Sequence, residues 1–351
     1  MILMTDSTKI SMVAATPPQT ENANLEVGNN VYSLAAVWAR NYYATVTTEV
    51  QDNACDPQDI QEILSAAGRQ KTAESLLQHL TSASARAWTK VEDLLAESIQ
   101  SHGIDRKLID PWEIAADIRQ LYEKMLEAYG DCATPQTIVT LIGREFGLAR
   151  QKYTASDPRA IGVVSMKFHY TGELLLELLS PLERKMISPY LKVMDDHMYM
   201  PLRSAYEAAA QHSLDSPALL AVQEFLPMTS EIARAVCDRV QKQHPAYQSY
   251  SGSLETPAVK QSSIRDVEMF QVYLCLCVLQ DSIRSVQQEL FPLCVMLYPR
   301  LQVSWKLVQD MLLALFWQVH DRMPPERMMV FLPYLRTFTE MFADEVFARN
   351  S

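Results

Sequence analysis

The hydrophobic positions of the chain recur at helical spacing, and prolines divide this pattern into segments. A capping residue followed by proline predicts a helix start, because the side-chain oxygen accepts a free backbone N–H and proline already has a helical φ. Seven such pairs occur: Asp56-Pro57, Asp110-Pro111, Thr134-Pro135, Asp157-Pro158, Ser180-Pro181, Ser216-Pro217 and Thr256-Pro257. Glutamate follows three residues after two of the caps, which predicts capping boxes at Asp110 and Ser180.

These starts predict helices along the whole chain, and no segment shows the alternation typical of a strand. An aromatic helix is expected from Val31 to about Val50. Further helices are expected near 57–68, 72–101, 110–129, 135–152, 158–179, 181–199, 201–212, 216–243, 257–281, 283–297, 301–320 and 325–348. The composition also favours helices. Glycine, which is common in the turns of sheets, is scarce with 9 residues, while proline, which separates helices, and methionine number 18 and 17. We therefore expect an all-α protein.

The segment from Thr256 to Gln280 has a polar first half and an almost wholly apolar second half. Such a pattern is typical of a helix that enters the middle of a core, because hardly any polar face remains. The polar residues at its entrance are expected at the rim of that core: Ser262, Ser263, Arg265, Asp266 and Glu268. On their own they indicate an exposed i,i+3 ion pair between Arg265 and Glu268, with Asp266 in solvent.

The same entrance resembles the phycobiliproteins, the bilin-carrying antenna proteins of cyanobacteria. Their central helix contains Cys-Leu-Arg-Asp-x-Glu, and the corresponding run here is Ser263-Ile264-Arg265-Asp266-Val267-Glu268. The resemblance extends from about Ser216 to His320. It includes the helix that ends at His244-Pro245, a loop around Gly252 and a last helix from Val303 to Val319. A globin-like helical fold is therefore expected for the C-terminal half.

The resemblance also implies roles for three residues. Asp266 would accept hydrogen bonds from pyrrole nitrogens, Arg265 would pair with a propionate, and Ser263 takes the place of the bilin-binding cysteine. A hydroxyl cannot form that thioether, and Cys275 and Cys277 lie about 18 to 21 Å further along the helix. We therefore expect no covalently attached pigment, and a noncovalent bilin or haem is the alternative.

Four parts are predicted along the chain. Residues 1–29 form a disordered or loosely attached segment, and residues 30–155 form a helical domain of no recognised family. Residues 156–323 form the phycobiliprotein-like domain, and residues 324–351 form a C-terminal helix. The division falls between Lys152 and Asp157, where the helical pattern breaks.

Histidines offer a second kind of candidate chemistry. His169 and Glu173 are spaced i,i+4 on one predicted helix, and Asp195, Asp196 and His197 are consecutive. A di-iron bundle needs Glu-x-x-His pairs on facing helices, and the sequence contains none. Adjacent helical residues also point about 100° apart, so the three consecutive residues cannot all reach one ion. Both observations count against a metal site. A metal or haem enzyme that uses His169 or His197 is kept only as an alternative.

Charge and cysteine usage limit the partners and the compartment. With a net charge of −11, the protein does not attract nucleic acid or anionic lipid surfaces, which are also negatively charged. The six cysteines lack metal-binding or disulfide-framework spacing and indicate reduced thiols. No apolar run reaches the ~18 residues that a membrane span needs, and the N-terminus lacks a signal-peptide pattern. We expect a cytoplasmic protein, peripheral to thylakoid membranes if its partners lie there.

The resemblance implies a function without catalysis. We expect a phycobilisome-related or photosynthesis-related binding and assembly protein that lacks the bilin-attachment cysteine. Its partner would be an antenna subunit, another helical protein or a second copy, docked on the segment from Ser180 to Gln211. A sensor that binds a noncovalent bilin or haem near Arg265 and Asp266 is the first alternative, and the histidine-based enzyme is the second.

Overall fold

The computed structural model describes residues 34–42 and 57–343 of the chain. These residues are helical except for one short hairpin and the connecting turns. The expectation of an all-α protein is therefore confirmed. The predicted segment 1–29 and the predicted end of the last helix, beyond residue 343, lie outside the described residues.

The helices are numbered in chain order. Residues 34–42 form α1. The others are α2 (Pro57–Leu64), α3 (Ala66–Ser101), α4 (Pro111–Gly130), α5 (Pro135–Leu141), α6 (Gly143–Thr154), α7 (Ala160–Leu176), α8 (Pro181–Tyr199), α9 (Leu202–Ala209), α10 (Pro217–Phe225), α11 (Thr229–Gln243), α12 (Pro257–Gln280), α13 (Phe291–Leu297), α14 (Trp305–Arg322) and α15 (Pro325–Met341). Shorter turns of 3-10 type span Arg106–Ile109 and Leu226–Met228, and a π-helical turn spans Val286–Leu290.

An antiparallel hairpin connects α11 to α12. Strand β1 (Gln248–Ser249) pairs with β2 (Gly252–Ser253), with Gln248 opposite Ser253 and Ser249 opposite Gly252. Each strand has only two residues, which is too short for any alternation to appear in the sequence. The expectation that the chain contains no strand is therefore wrong at this point.

Prolines begin α2, α4, α5, α8, α10 and α12, as predicted. The capping box at Ser180 is confirmed, because the Ser180 hydroxyl accepts from the Glu183 N–H and the Glu183 carboxylate accepts from the Ser180 N–H. Asp110 also caps its helix, but Glu113 pairs with Lys152 at 2.7 Å instead of closing a box. The prediction of a capping box at Asp110 is wrong for that reason.

Two other predicted caps do not form, because the Ser216 and Thr256 side chains accept no N–H from the helices that they precede. The Asp157 side chain does accept the backbone N–H of Arg159 at 3.0 Å, and it also makes an ion pair with the Arg159 guanidinium at 2.7 Å. The α-helix itself begins later than predicted, at Ala160.

Two of the predicted helices are divided. The predicted helix 216–243 becomes α10 and α11, separated by the turn Leu226–Met228. Pro227 explains this break, because its ring removes a backbone donor from the helix interior. The predicted helix 135–152 becomes α5 and α6, which meet at Ile142.

Two groups of helices share one continuous hydrophobic core. In the first group, α3 packs along α4 and α7. In the second group, α12 contacts α9, α10, α11 and α15, while α11 packs on α14. Every residue of α12 from Val267 to Leu279 is buried, which confirms that its second half belongs to the core. The contact of α3 with α7 crosses the predicted division at 152–157, and the domain boundaries and the globin-like arrangement stay predictions.

The segment from Ser180 to Gln211 is not a free surface. No residue between Lys185 and Ala210 is exposed, because α8 packs against α5, α6 and α7 while α9 packs against α6 and α12. Its exposed residues lie only near its ends, at Ser180, Pro181, Arg184 and Gln211, and docking of a partner there stays a prediction.

Within 34–42 and 57–343, no helix combines the length and the apolar content that crossing a membrane requires.

Candidate functional site

A cavity of about 340 Å³ lies where α7, α11, α12, α14 and the hairpin meet. Its wall contains the three residues that the sequence singled out, Ser263, Arg265 and Asp266. They belong to the first half of α12, whose second half is buried, so the core holds them in place. The volume lies within the range of small-molecule sites.

One side of the cavity is apolar. Helices α11 and α14 and the segments beside the hairpin and α12 supply aliphatic side chains, among them Val240, Leu254, Val259, Leu307, Val308 and Met311. These side chains can cover the hydrocarbon part of a ligand, and each square ångström removed from water contributes roughly 25 cal/mol.

Arg265 lines the cavity and makes no ion pair within the described residues. Its guanidinium carbon lies 4.7 Å from the ring centre of Tyr199, which is the distance of a cation–π contact. Within the described residues no acceptor bonds its guanidinium, and its Nε is buried. The expected ion pair with Glu268 does not form, because Glu268 pairs with Lys192 at 3.0 Å. Arg265 is therefore available to an acidic ligand.

Asp266 is held by one hydrogen bond. The Tyr199 hydroxyl donates to its Oδ1 at 2.8 Å, and Oδ2 has no donor among the described residues. Burial raises the pKa of Asp266 above its ordinary value, although Arg265 and the Tyr199 hydroxyl act in the opposite direction. The interpretation of Asp266 as a carboxylate in solvent is therefore wrong, and Oδ2 can accept an N–H from a ligand.

A cysteine also lies in the cavity wall, although no motif in the sequence singles it out. Cys237 belongs to α11, and the packing of α11 on α12 brings it into the same cavity lining as Ser263. Burial raises the pKa of the Cys237 thiol to about 12, with Asp266 and Asp238 adding to the effect. The thiol is therefore protonated near neutral pH and is a poor nucleophile.

His169 and Asp195 form a hydrogen-bonded pair at the cavity. Nδ1 of His169 lies 2.7 Å from Oδ2 of Asp195. An ionised carboxylate can only accept, so Nδ1 is the donor, and Nε2 carries the lone pair of the neutral ring. Nε2 has no partner in the part of the chain that the structure describes. His169 and Glu173 both line the cavity, as their i,i+4 spacing allows.

His197 takes no part in this site. It is 1% exposed, and its Nδ1 lies 2.7 Å from the carbonyl oxygen of Val193 one turn earlier. Burial lowers the pKa of His197 to about 4, so the ring is neutral near pH 7. Asp195, Asp196 and His197 thus have three different environments. Among residues 34–42 and 57–343, no three histidine, cysteine or acidic side chains converge on a metal position.

A buried charge network fixes α12 behind the cavity. Lys192 of α8 pairs with Asp196 and with Glu268 of α12, each at 3.0 Å. Tyr42 of α1 donates to Asp196 at 2.8 Å, and Trp38 donates to Tyr42 at 2.9 Å. Glu268 follows Arg265 by three residues, so the network determines where α12 presents Arg265 to the cavity.

The cavity residues suit a ligand that combines an acidic group with an apolar body. The unpaired Arg265 fits a carboxylate, Oδ2 of Asp266 fits an N–H donor, and the aliphatic side fits a hydrocarbon surface. The wall offers no activated thiol for a covalent bond, because Cys237 is protonated. Comparisons of the chain with protein-family models, with curated proteins and with solved structures found no match.

Proposed function

We propose that the protein binds a small amphipathic organic acid noncovalently in this cavity. Arg265 pairs with the acid group, and the aliphatic side formed by α11 and α14 covers the apolar part. The observation that carries the proposal is the guanidinium of Arg265, which lies on the cavity wall with a buried Nε and no acceptor among the described residues.

The energetic reason is the strength of charge-assisted hydrogen bonds. A hydrogen bond to a charged group contributes about 1.5–3 kcal/mol. A guanidinium can make two such bonds in parallel to one carboxylate. Burial lowers the pKa of Arg265, but Tyr199, Asp195 and Asp266 outweigh this effect and raise it, so the cation persists.

The resemblance to phycobiliproteins makes a noncovalent bilin or haem one candidate for this ligand. Both carry propionates that Arg265 would bind, and Asp266 would accept a pyrrole N–H of a bilin. The roles that the resemblance implies for Arg265 and Asp266 thus agree with their position on the cavity wall. The phycobilisome-related assembly role and the antenna partner stay predictions, and both are compatible with a ligand-binding cavity.

Replacing Arg265 tests the proposal. We expect the native chain to bind anilinonaphthalene sulfonate, an amphipathic anion whose fluorescence rises in apolar sites. Octanoate or a free porphyrin should displace it. Arg265→Gln should weaken binding about 10- to 100-fold, because it removes a charge-assisted hydrogen bond. Fluorescence titration measures both affinities.

Arg239→Gln is the matched control, because Arg239 is exposed on α11 and does not line the cavity. It removes the same charge and should leave the affinity unchanged. Circular dichroism verifies that each variant is folded. Equal affinities for the native chain and Arg265→Gln would contradict the proposal.

A further inference from the structure

We propose that the cavity also hydrolyses esters of amphipathic acids, with His169 as the general base that activates water. This proposal rests on the proposed function, because the acid that Arg265 binds would be the product. Substrates of this class have an apolar acyl group and an ester carbonyl that can reach Arg265.

The first observation is the orientation of His169. The hydrogen bond of 2.7 Å to Asp195 fixes the proton on Nδ1 and leaves Nε2 as the basic atom. A carboxylate in this position also stabilises the imidazolium that forms when Nε2 takes a proton. The side chain of His169 is 31% exposed, so water can reach it. Nε2 has no partner in the described residues, and the ring lines the cavity.

The second observation is the cation Arg265, which lines the same cavity. Arg265 has no acceptor among the described residues and can stabilise negative charge that develops on a carbonyl oxygen. Asp195 links the two groups, since it bonds His169 and is also one of the negative groups that raise the pKa of Arg265. Base and cation therefore lie within electrostatic range of one carboxylate.

The third observation is that Ser262, Ser263 and Cys237 are not activated as nucleophiles. Ser262 lines the cavity, but its hydroxyl donates to the carbonyl of Val259 at 3.0 Å. Ser263 makes no hydrogen bond to His169 in the described residues, and the Cys237 thiol keeps its proton. Water is therefore the nucleophile in our proposal.

The reaction needs no cofactor. Nε2 of His169 takes a proton from water as the water oxygen bonds to the ester carbon, and the carbonyl electron pair moves to the oxygen beside Arg265. The tetrahedral intermediate then collapses and breaks the bond to the alcohol oxygen, which takes the proton from Nε2. One ester and one water become one acid and one alcohol. The acid remains paired with Arg265 until it dissociates.

Hydrolysis of p-nitrophenyl octanoate tests the proposal, followed by the absorbance of p-nitrophenol. His169→Gln should lower kcat about a hundredfold or more, which is within the range for losing a general base. Asp195→Asn should lower kcat and leave KM unchanged, because Asp195 positions the base without contacting the substrate. Added imidazole should restore part of the rate to His169→Gly, which a merely structural role would not produce.

His320→Gln is the matched control. His320 lies 3.1 Å from Asp321 on the exposed end of α14, outside the cavity, so this variant should keep the full rate. Octanoate should still displace anilinonaphthalene sulfonate from His169→Gln, which also shows that this variant is folded.

Three results would overturn the catalytic proposal. The first is a native rate no faster than that of free imidazole at equal concentration. The second is a native rate in His169→Gln, and the third is a loss of rate in His320→Gln. If octanoate still binds in these cases, ligand binding at Arg265 stands without catalysis. If octanoate does not bind the native chain, the proposed function fails as well.

Discussion

His169 and His197 belong to two helices that pack together, α7 and α8, yet their surroundings differ. His169 has a carboxylate partner and reaches the cavity, whereas His197 is surrounded by side chains that include Phe146 and Tyr206. Its Nε2 is buried without a partner among the described residues. Of the two histidines that the sequence offered, only His169 has access to a ligand.

The pH dependence of stability should show the burial of His197. Its folded pKa of about 4 lies below the ordinary value of 6.5, so the unfolded chain binds this proton more tightly. The contribution of His197 is fully present above pH 6.5 and decreases by up to about 3 kcal/mol as the pH falls to 4. Urea unfolding at several pH values measures the difference in stability between the native chain and His197→Leu.

The comparison with His197→Leu is needed because Asp196 titrates in the same range. Burial raises the pKa of Asp196 to about 6, so its contribution is present at low pH and is lost as the pH rises. Both chains contain Asp196, so the difference between their curves isolates His197. Parallel curves from pH 4 to 7 would contradict a buried neutral imidazole.

The sequence identified Arg265, Asp266 and Ser263 through a short local run, and all three line the cavity. It did not identify their partners. Tyr199 bonds Asp266, Asp195 orients His169, and Cys237 lines the same cavity, but each belongs to a different helix from the residue that it joins. Local spacing can place residues on one face of a helix, but it carries no information about which other helix that face meets.

Among the elements that line the cavity, the hairpin between α11 and α12 is the shortest, with two residues in each strand. Tyr250 donates its backbone N–H to the carbonyl of Leu301 at 3.0 Å, which ties the hairpin to the segment before α14. Ser249, Ser251 and Leu254 line the cavity. The geometry of this short turn therefore affects the shape of the site.

Gly252→Ala should disturb the hairpin and the cavity together. Gly252 has a φ of +126°, which side-chain-bearing residues rarely adopt, and a Cβ there would lie 3.0 Å from Oγ1 of Thr256. We expect a loss of about 1–3 kcal/mol in the free energy of unfolding. Binding of anilinonaphthalene sulfonate should also weaken. Urea unfolding and fluorescence titration measure the two effects.

Gly103→Ala is the control for this variant. Gly103 also has a positive φ, +63°, but a Cβ there meets no atom within 4 Å. It should cost about 1–2 kcal/mol from backbone strain alone and leave the affinity unchanged. Equal affinities for Gly252→Ala and Gly103→Ala would show that the hairpin does not shape the site.

Helix starts were predictable because proline acts locally, and six of the seven predicted cap-and-proline starts hold proline at the first helical position. The positions at which helices are interrupted were harder to predict from the sequence. The break at Pro227 has a local cause that the apolar pattern concealed, and the junction of α5 and α6 at Ile142 has no comparable signal in the sequence. The hairpin was not predicted because each strand has only two residues, which is too few for the alternation of a strand to be recognised.

For the whole molecule, the continuous core has a consequence for unfolding. Ser98 of α3 donates to the carbonyl of Met296 in α13 at 3.4 Å, and the network of Tyr42, Asp196 and Glu268 joins α1, α8 and α12. Helices before and after the predicted division at 152–157 thus depend on each other. The sequence could not reveal these contacts, because they join residues far apart in the chain.

We expect the chain to unfold in one cooperative transition. Tryptophan fluorescence and far-ultraviolet circular dichroism should give the same midpoint in urea, because loss of either helix group exposes the core of the other. Two separate transitions would contradict this expectation and would support the independent domains 30–155 and 156–323.

Cys237 has a further consequence for how the cavity works over time. Its thiol lines the cavity, and its raised pKa keeps it inert. Compounds that enter and leave the cavity are therefore not trapped by a lasting bond. Occupancy then follows the surrounding concentration of the compound, and each molecule of the protein can be filled and emptied many times.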